Sequence, residues 1–230
     1  MNFQSLRRSH LLVLHPDPIV CAGIAAALRE HAAFEVSIHG ADHALAERPQ
    51  VDVVITDYVN AMRLTQSHQR RELGLPNDAR ILALTANDRE ADIRRAIEGG
   101  VYGYVLVGGP VDELVAGVKA VASGLRYMSA SVAQRMADSL TRAPLTSREL
   151  EVLCLVVKGQ PNKSIARQLS IELGTVKSHV SAIMAKLGAA SRTQAARIAS
   201  ARGLVEEGAD SAREPMLPRM RQFEPSFQYA

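Results

Sequence analysis

Short apolar runs alternate with longer amphipathic stretches along the first 125 residues. The runs at His10–Leu14, Phe34–Ile38, Val51–Thr56, Arg80–Leu84 and Tyr102–Leu106 are rich in Val, Ile and Leu. Their length and β-branched content predict five buried β-strands. Between them, Ile19, Ile24, Ala27 and Leu28 recur at helical spacing, as do Ile93, Ala96 and Ile97, and later Leu114, Val115, Val118 and Val121. The stretch from Val59 to Leu75 carries a sparser helical pattern. Five strands alternating with helices predict an α/β domain over residues 9–125, a flavodoxin-like, doubly wound, five-stranded parallel sheet.

A further helical pattern runs from Ser131 to Leu140 and stops before Thr141-Arg142-Ala143-Pro144. Pro144 disfavours helix at Ala143, so residues 126–143 read as a linker helix and linker. Residues 144–203 then form an all-α domain of four short helices. Thr146-Ser147-Arg148-Glu149 is a capping box for the first, which stops at Gly159. Asn162 is the expected cap of the second, with Ile165, Ala166 and Leu169 facing inward. The third runs from about Gly174 to Gly188, and Ser191-Arg192-Thr193-Gln194 is a second capping box that opens the fourth. The tail, residues 204–230, contains Pro215, Pro218 and Pro225 and is expected to be mostly disordered.

Composition narrows the class. The chain has 230 residues, 47% apolar and 22% charged, which suits globular domains. Its most apolar stretch, Leu11 to Leu28, is interrupted by His15, Pro16, Asp17 and Pro18, so no membrane span is expected. The N-terminus shows no export signal, and a cytoplasmic location is expected. Cys21 and Cys154 both lie in apolar helical patterns and read as buried reduced thiols. His39 and His43 are four apart without a completing carboxylate or thiol, and read as a solvated pair. The pairs Gly99-Gly100 and Gly108-Gly109 do not follow the first strand, which argues against a nucleotide fingerprint.

Charge is distributed unevenly. Residues 1–141 carry 14 Lys and Arg against 16 Asp and Glu, whereas residues 142–202 carry 10 against 3. The all-α segment therefore holds the excess positive charge expected of a part that meets a polyanion. Its third helix divides by face: Val176, Val180, Ile183, Met184 and Leu187 form an apolar stripe. Thr175, Lys177, Ser178 and Ser181 fall elsewhere, without a carboxylate, and suit a major groove. A tight connection, Ser170–Gly174, joins this helix to the one before, giving a helix-turn-helix.

These residues closely resemble the LuxR-type DNA-binding domain of NarL/FixJ response regulators. The match runs through Leu145-Thr146-Ser147-Arg148-Glu149-Leu150-Glu151-Val152-Leu153, Asn162-Lys163-Ser164-Ile165-Ala166 and Gly174-Thr175-Val176-Lys177-Ser178-His179-Val180. It ends on Lys186-Leu187-Gly188 and Ser191-Arg192-Thr193-Gln194-Ala195. The resemblance implies base contacts by Lys177, Ser178 and Ser181, and phosphate contacts by Lys163, Thr175 and His179. It also implies a dimer through Arg192–Ser200, lined by Ala195, Ala196 and Ala199. One departure stands at the start of the third helix. Glu172 and Leu173 occupy positions where the family usually has serine and then an acidic or polar residue.

The N-terminal domain resembles the receiver of the same family, an aspartyl-phosphate switch. The resemblance puts the phospho-acceptor at Asp57, the switch hydroxyl at Thr85 and the switch aromatic at Tyr104. The rest of that chemistry is missing. His15-Pro16 replaces an acidic pair, with Asp17 one residue further on, and Val107 stands where a lysine would pair with the phosphate. Asn60-Ala61 replaces a Met-Pro pair. No cofactor is expected; a Mg²⁺, if held, would rest on Asp17 and Asp57. The expected function is that of a dimeric transcriptional regulator binding double-stranded DNA, not an enzyme, whose atypical receiver is controlled without phosphorylation. Its job would then be dimerisation, or the sensing of a small ligand or another regulatory protein. The alternatives are a conventional two-component regulator phosphorylated on Asp57 by a sensor kinase, and an interaction module that restrains another regulator.

Overall fold

The computed structural model describes residues 8–38 and 50–205, so the His39/His43 pair and the tail beyond Val205 lie outside the described residues. The chain divides into two compact units, Met1–Pro144 and Leu145–Ala230.

The first unit is a parallel sheet with helices on both faces. Its strands are β1 (Ser9–Leu14), β2 (Phe34–Ile38), β3 (Val53–Thr56), β4 (Arg80–Thr85), β5 (Gly103–Leu106) and β6 (Tyr127–Met128), in the spatial order β2-β1-β3-β4-β5-β6. Side chains alternate between the faces, as the two-residue period of a strand dictates. Leu11, Val13, Val53, Ile55, Leu82, Leu84 and Val105 pack on one side with α1 (Pro18–Arg29) and α5 (Val111–Ala122). Leu12, Val54, Ile81, Ala83 and Tyr104 pack on the other. That second layer comprises α2 (Tyr58–Leu64), α4 (Glu90–Glu98) and α6 (Ala130–Leu140), with the short α3 (Ser67–Glu72) following α2. The sparse 59–75 pattern is thus two short helices.

The sheet has six strands rather than five. β6 pairs parallel to β5, with Gly103 opposite Tyr127 and Tyr104 opposite Met128. A two-residue strand carries no apolar run to betray it. The segment read as a linker helix is likewise packed onto the first unit. Val132 of α6 is fully buried beside Ile93 and Ala96. Arg94 of α4 donates to Ser139 Oγ at 3.2 Å, and Arg142 pairs with Glu90 at 3.0 Å.

The second unit has four helices: α7 (Ser147–Val157), α8 (Asn162–Gln168), α9 (Leu173–Leu187) and α10 (Arg192–Ala201). They enclose Val152, Leu153, Leu155, Val156, Ile165, Val176, Ile183 and Ala199. The capping box at α7 forms: Glu149 N–H donates to Thr146 Oγ1 at 3.2 Å, and Thr146 N–H to Glu149 Oε2 at 2.7 Å. Lys186 Nζ reaches the same carboxylate oxygen at 2.7 Å, tying α9 to α7. These contacts hold the Glu149 carboxyl below its usual range, the Lys186 bond contributing most.

Two expected caps differ. Asn162 is the first residue of α8 and Pro161 takes the cap position; the Asn162 side chain instead accepts from Arg192 at 2.8 Å. Ser191 caps α10 through Gln194 N–H, but the Gln194 side chain accepts from Ala190 N–H, so the second box is not reciprocal. Both cysteines are free. Cys21 is buried, whereas Cys154 is half-buried because it lies at the margin of its core.

Candidate nucleic-acid interface and receiver pocket

The α8–α9 connection turns through Ser170, which adopts φ 52°. It is the one non-glycine residue with positive φ among those described, and the reversal delivers α9 at an angle to α8. α9 then ends on Gly188 in the left-handed conformation, as helix C-termini favour.

α9 has two distinct faces. Val176 and Ile183 are buried, and Val180, Met184 and Leu187 half-buried, against the unit's core. Thr175, Lys177, Ser178 and Ser181 are exposed, and His179 is half-buried. The Ser178 hydroxyl donates back to Gly174 C=O at 3.2 Å, leaving its oxygen free to accept. On α8, Lys163 is exposed, as is Arg167 four residues on, so both lie on one side of that helix. The sequence shows the spacing of four between Lys163 and Arg167, but only the exposure of both sets Arg167 beside Lys163 as a second surface cation. Among the described residues no carboxylate pairs with Lys163, Arg167 or Lys177, whereas Lys186 is held by Glu149.

The alanines expected at a dimer interface require correction. Ala195 and Ala199 are 1% and 0% exposed within a single chain, buried in the second unit itself. Only Ala196 reaches the surface, and it is half-buried. The exposed stripe of α10 is instead Thr193, Arg197 and Ala201, spaced by four. Small apolar residues at helical spacing mark an inward face here.

In the first unit, Asp57 follows β3 and is half-buried. It caps α2, its Oδ1 accepting from Val59 N–H at 2.7 Å and Asn60 N–H at 3.0 Å. Its Oδ2 accepts from Asn60 Nδ2 at 2.7 Å, so both oxygens are engaged. Asp17 is exposed and caps α1 in the same manner, accepting from Ile19 N–H at 2.8 Å. Val107, after β5, is 48% exposed. No group of three His, Cys, Asp or Glu side chains able to hold a metal exists among the described residues.

Thr85 and Tyr104 meet at Asn87. Thr85 Oγ1 accepts from Asn87 N–H at 3.1 Å, and the Tyr104 hydroxyl donates to Asn87 C=O at 2.7 Å. Tyr104 is 1% exposed, and burial, reinforced by Tyr58 and Asp92, pushes its phenol well above the usual range. Asn87 Nδ2 donates to Asp92, which also accepts from the Tyr58 hydroxyl at 3.2 Å. Neither Asn87 nor Asp92 was identified from sequence, because polar residues in loops and helix starts carry no distinctive spacing.

A doubly wound parallel sheet followed by a four-helix unit with an exposed basic helix defines a two-unit, DNA-binding regulator. Residues 143–199 match the luxR family of bacterial regulatory proteins. The chain is 30% identical over 210 residues to the transcriptional regulatory protein LiaR of Bacillus subtilis, covering 85% of this chain and 98% of LiaR. It is 31% identical over 195 residues to a nitrate/nitrite response regulator protein homolog of Haemophilus influenzae, covering 80% and 93%. The fold is that of the response regulator RcsB of Salmonella typhimurium, at a TM-score of 0.66, 22% identity, and coverage of 84% and 100%. This chain belongs to the luxR family of bacterial regulatory proteins, as a DNA-binding transcriptional response regulator of the two-component type and not an enzyme.

Proposed function

We propose that the protein binds double-stranded DNA as a dimer and that its first unit acts without phosphoryl transfer to Asp57. The observation that carries this is Val107, an exposed aliphatic residue where a lysine would have to pair with a phosphate. Its replacement removes a charge-assisted contact worth about 1.5–3 kcal/mol. Asp57 and Asp17 both turn their carboxylates into helix N-termini, so the residues present do not fit a Mg²⁺ site, and no cofactor is assigned. Asp57 then serves as a helix cap. Control passes instead to a small ligand or another regulatory protein, and a sensor kinase's phosphoryl group is not required.

On DNA, α9 enters the major groove with Lys177, Ser178 and Ser181 toward base edges. Lys163, Thr175 and His179 lie toward the phosphates. A single such helix reads few base pairs, so useful specificity requires two, about one helical turn (~10 bp) apart. RcsB, whose fold this chain shares, has been solved as dimers bound to DNA. The exposed α10 stripe of Thr193, Arg197 and Ala201 is the surface that would meet its counterpart. Such a regulator works in the cytoplasm, and no described helix is long and apolar enough to cross a membrane.

The test is a footprint on an operator selected from a random duplex pool with the full-length protein. Two protected half-sites are expected, with the same occupancy for Asp57→Asn as for wild type. A single protected half-site at saturation would overturn the dimer. Loss of binding by a folded Asp57→Asn protein would overturn the silent role of Asp57.

A further inference from the structure

Leu173 is the first residue of α9 and remains 43% exposed. Its neighbour Ile171 packs against the core of the second unit, but Leu173 is not among the residues of that cluster. Leu173, Lys177 and Ser181 are spaced by four and all exposed, so they form one outward stripe along the helix. The apolar residue is therefore the N-terminal member of the row that carries the lysine. Gly174 follows it, and a Cβ there would meet nothing within 4 Å. Among the described residues nothing requires a glycine at that position; without a side chain there, the flank of Leu173 stays open to close approach from outside.

Resting on the DNA-binding reading above, we infer that Leu173 is a specificity residue that recognises the 5-methyl group of a thymine in the major groove. The N-terminal residues of a recognition helix are those that meet base edges. The thymine methyl is the apolar group that the major groove displays, and apolar side chains are its natural contacts. Four residues at a rise of 1.5 Å separate Leu173 from Lys177 by about 6 Å along the helix, or within about two base pairs. The thymine therefore lies within two base pairs of the position that Lys177 reads. Methyl burial also accounts for a leucine on an otherwise polar surface: its exposed area is removed from water only in the complex.

The experiment uses the full-length protein and an operator selected from a random duplex pool. Each thymine is replaced singly by deoxyuridine, which removes the 5-methyl group and leaves base pairing intact. Wild-type affinity should fall about fourfold at one thymine, the effect of one buried methyl-sized group. That thymine should lie within two base pairs of the position where Lys177→Ala loses base preference. Leu173→Ala should bind the unmodified operator about as weakly as wild type binds the deoxyuridine version, and should then be indifferent to that substitution. Leu173→Met should keep the discrimination. Wild-type protein that binds its operator but ignores every methyl group would overturn the inference and leave DNA binding standing. So would a Leu173→Ala protein that discriminates as wild type does. Failure to select any operator would overturn both.

Discussion

Replacing Glu149 should destabilise the second unit through two separable contacts. Its carboxylate oxygen accepts from Thr146 N–H and from Lys186 Nζ, both at 2.7 Å, and the Glu149 side chain is 7% exposed against 27% for Lys186. Glu149→Ala removes a helix-start contact worth about 1 kcal/mol. It also strands a partly exposed lysine, which we discount to about 2 kcal/mol from the range for a fully buried pair. The sum, about 3 kcal/mol, should lower the melting temperature of this unit by about 15 °C for a domain of its size. Glu149→Gln keeps an acceptor for Thr146 and loses the charge, so it should cost about 2 kcal/mol. Because the folded carboxyl titrates below its ordinary value of 4.5, the ionic contribution is complete above that pH. It is lost as pH falls through the folded value. Denaturant melts of wild type and Glu149→Gln, fitted for the transition of the second unit, should therefore converge at low pH. An equal gap between the two proteins at pH 7 and at pH 3 would refute the ionic account.

Lys177→Ala should reduce specific DNA affinity about 5- to 150-fold with an unchanged melt, read by titrating a labelled operator. Equal affinities would mean that the wrong face of α9 has been assigned. Arg197→Glu, on the exposed stripe of α10, should weaken dimerisation on DNA at constant stability, measured by footprinting and thermal melts. Ala199→Glu should instead unfold the second unit, because it places a charge at a fully buried position; a folded Ala199→Glu protein would contradict the packing of α10.

β1, β3 and β4 are legible because branched apolar residues are buried on both of their faces, as at Val53-Val54-Ile55. The capping box at α7 is legible because two side chains at a fixed spacing suffice to make it. β6 is hidden because two residues make no pattern, and the docking of α6 is hidden because Val132, Arg94 and Arg142 each find a partner distant in sequence. Asn162 illustrates competition between local and distant partners: Pro161 takes the cap position, and Arg192, thirty residues away, takes the side chain. At the candidate sites, the exposed polar face of α9 follows from its periodicity. In α10 the apolar period marks core: Ala195 and Ala199 are buried within the unit rather than set at its surface. The meeting of Thr85, Tyr104 and Asp92 at Asn87 was invisible, since it joins a strand end, a neighbouring strand and a helix start through one loop.

The first unit of this regulator is proposed to work without phosphoryl transfer. The most direct measurement is the operator dissociation constant of wild-type and Asp57→Asn protein, each with and without acetyl phosphate and Mg²⁺. A ligand shifts a two-state equilibrium only through differential affinity for the two states, and a phosphoryl group facing Val107 has little to offer. The four constants should agree within about twofold, less than about 0.4 kcal/mol of coupling. A donor-dependent tightening beyond about tenfold, or about 1.4 kcal/mol, present in wild type and absent in Asp57→Asn, would contradict the account.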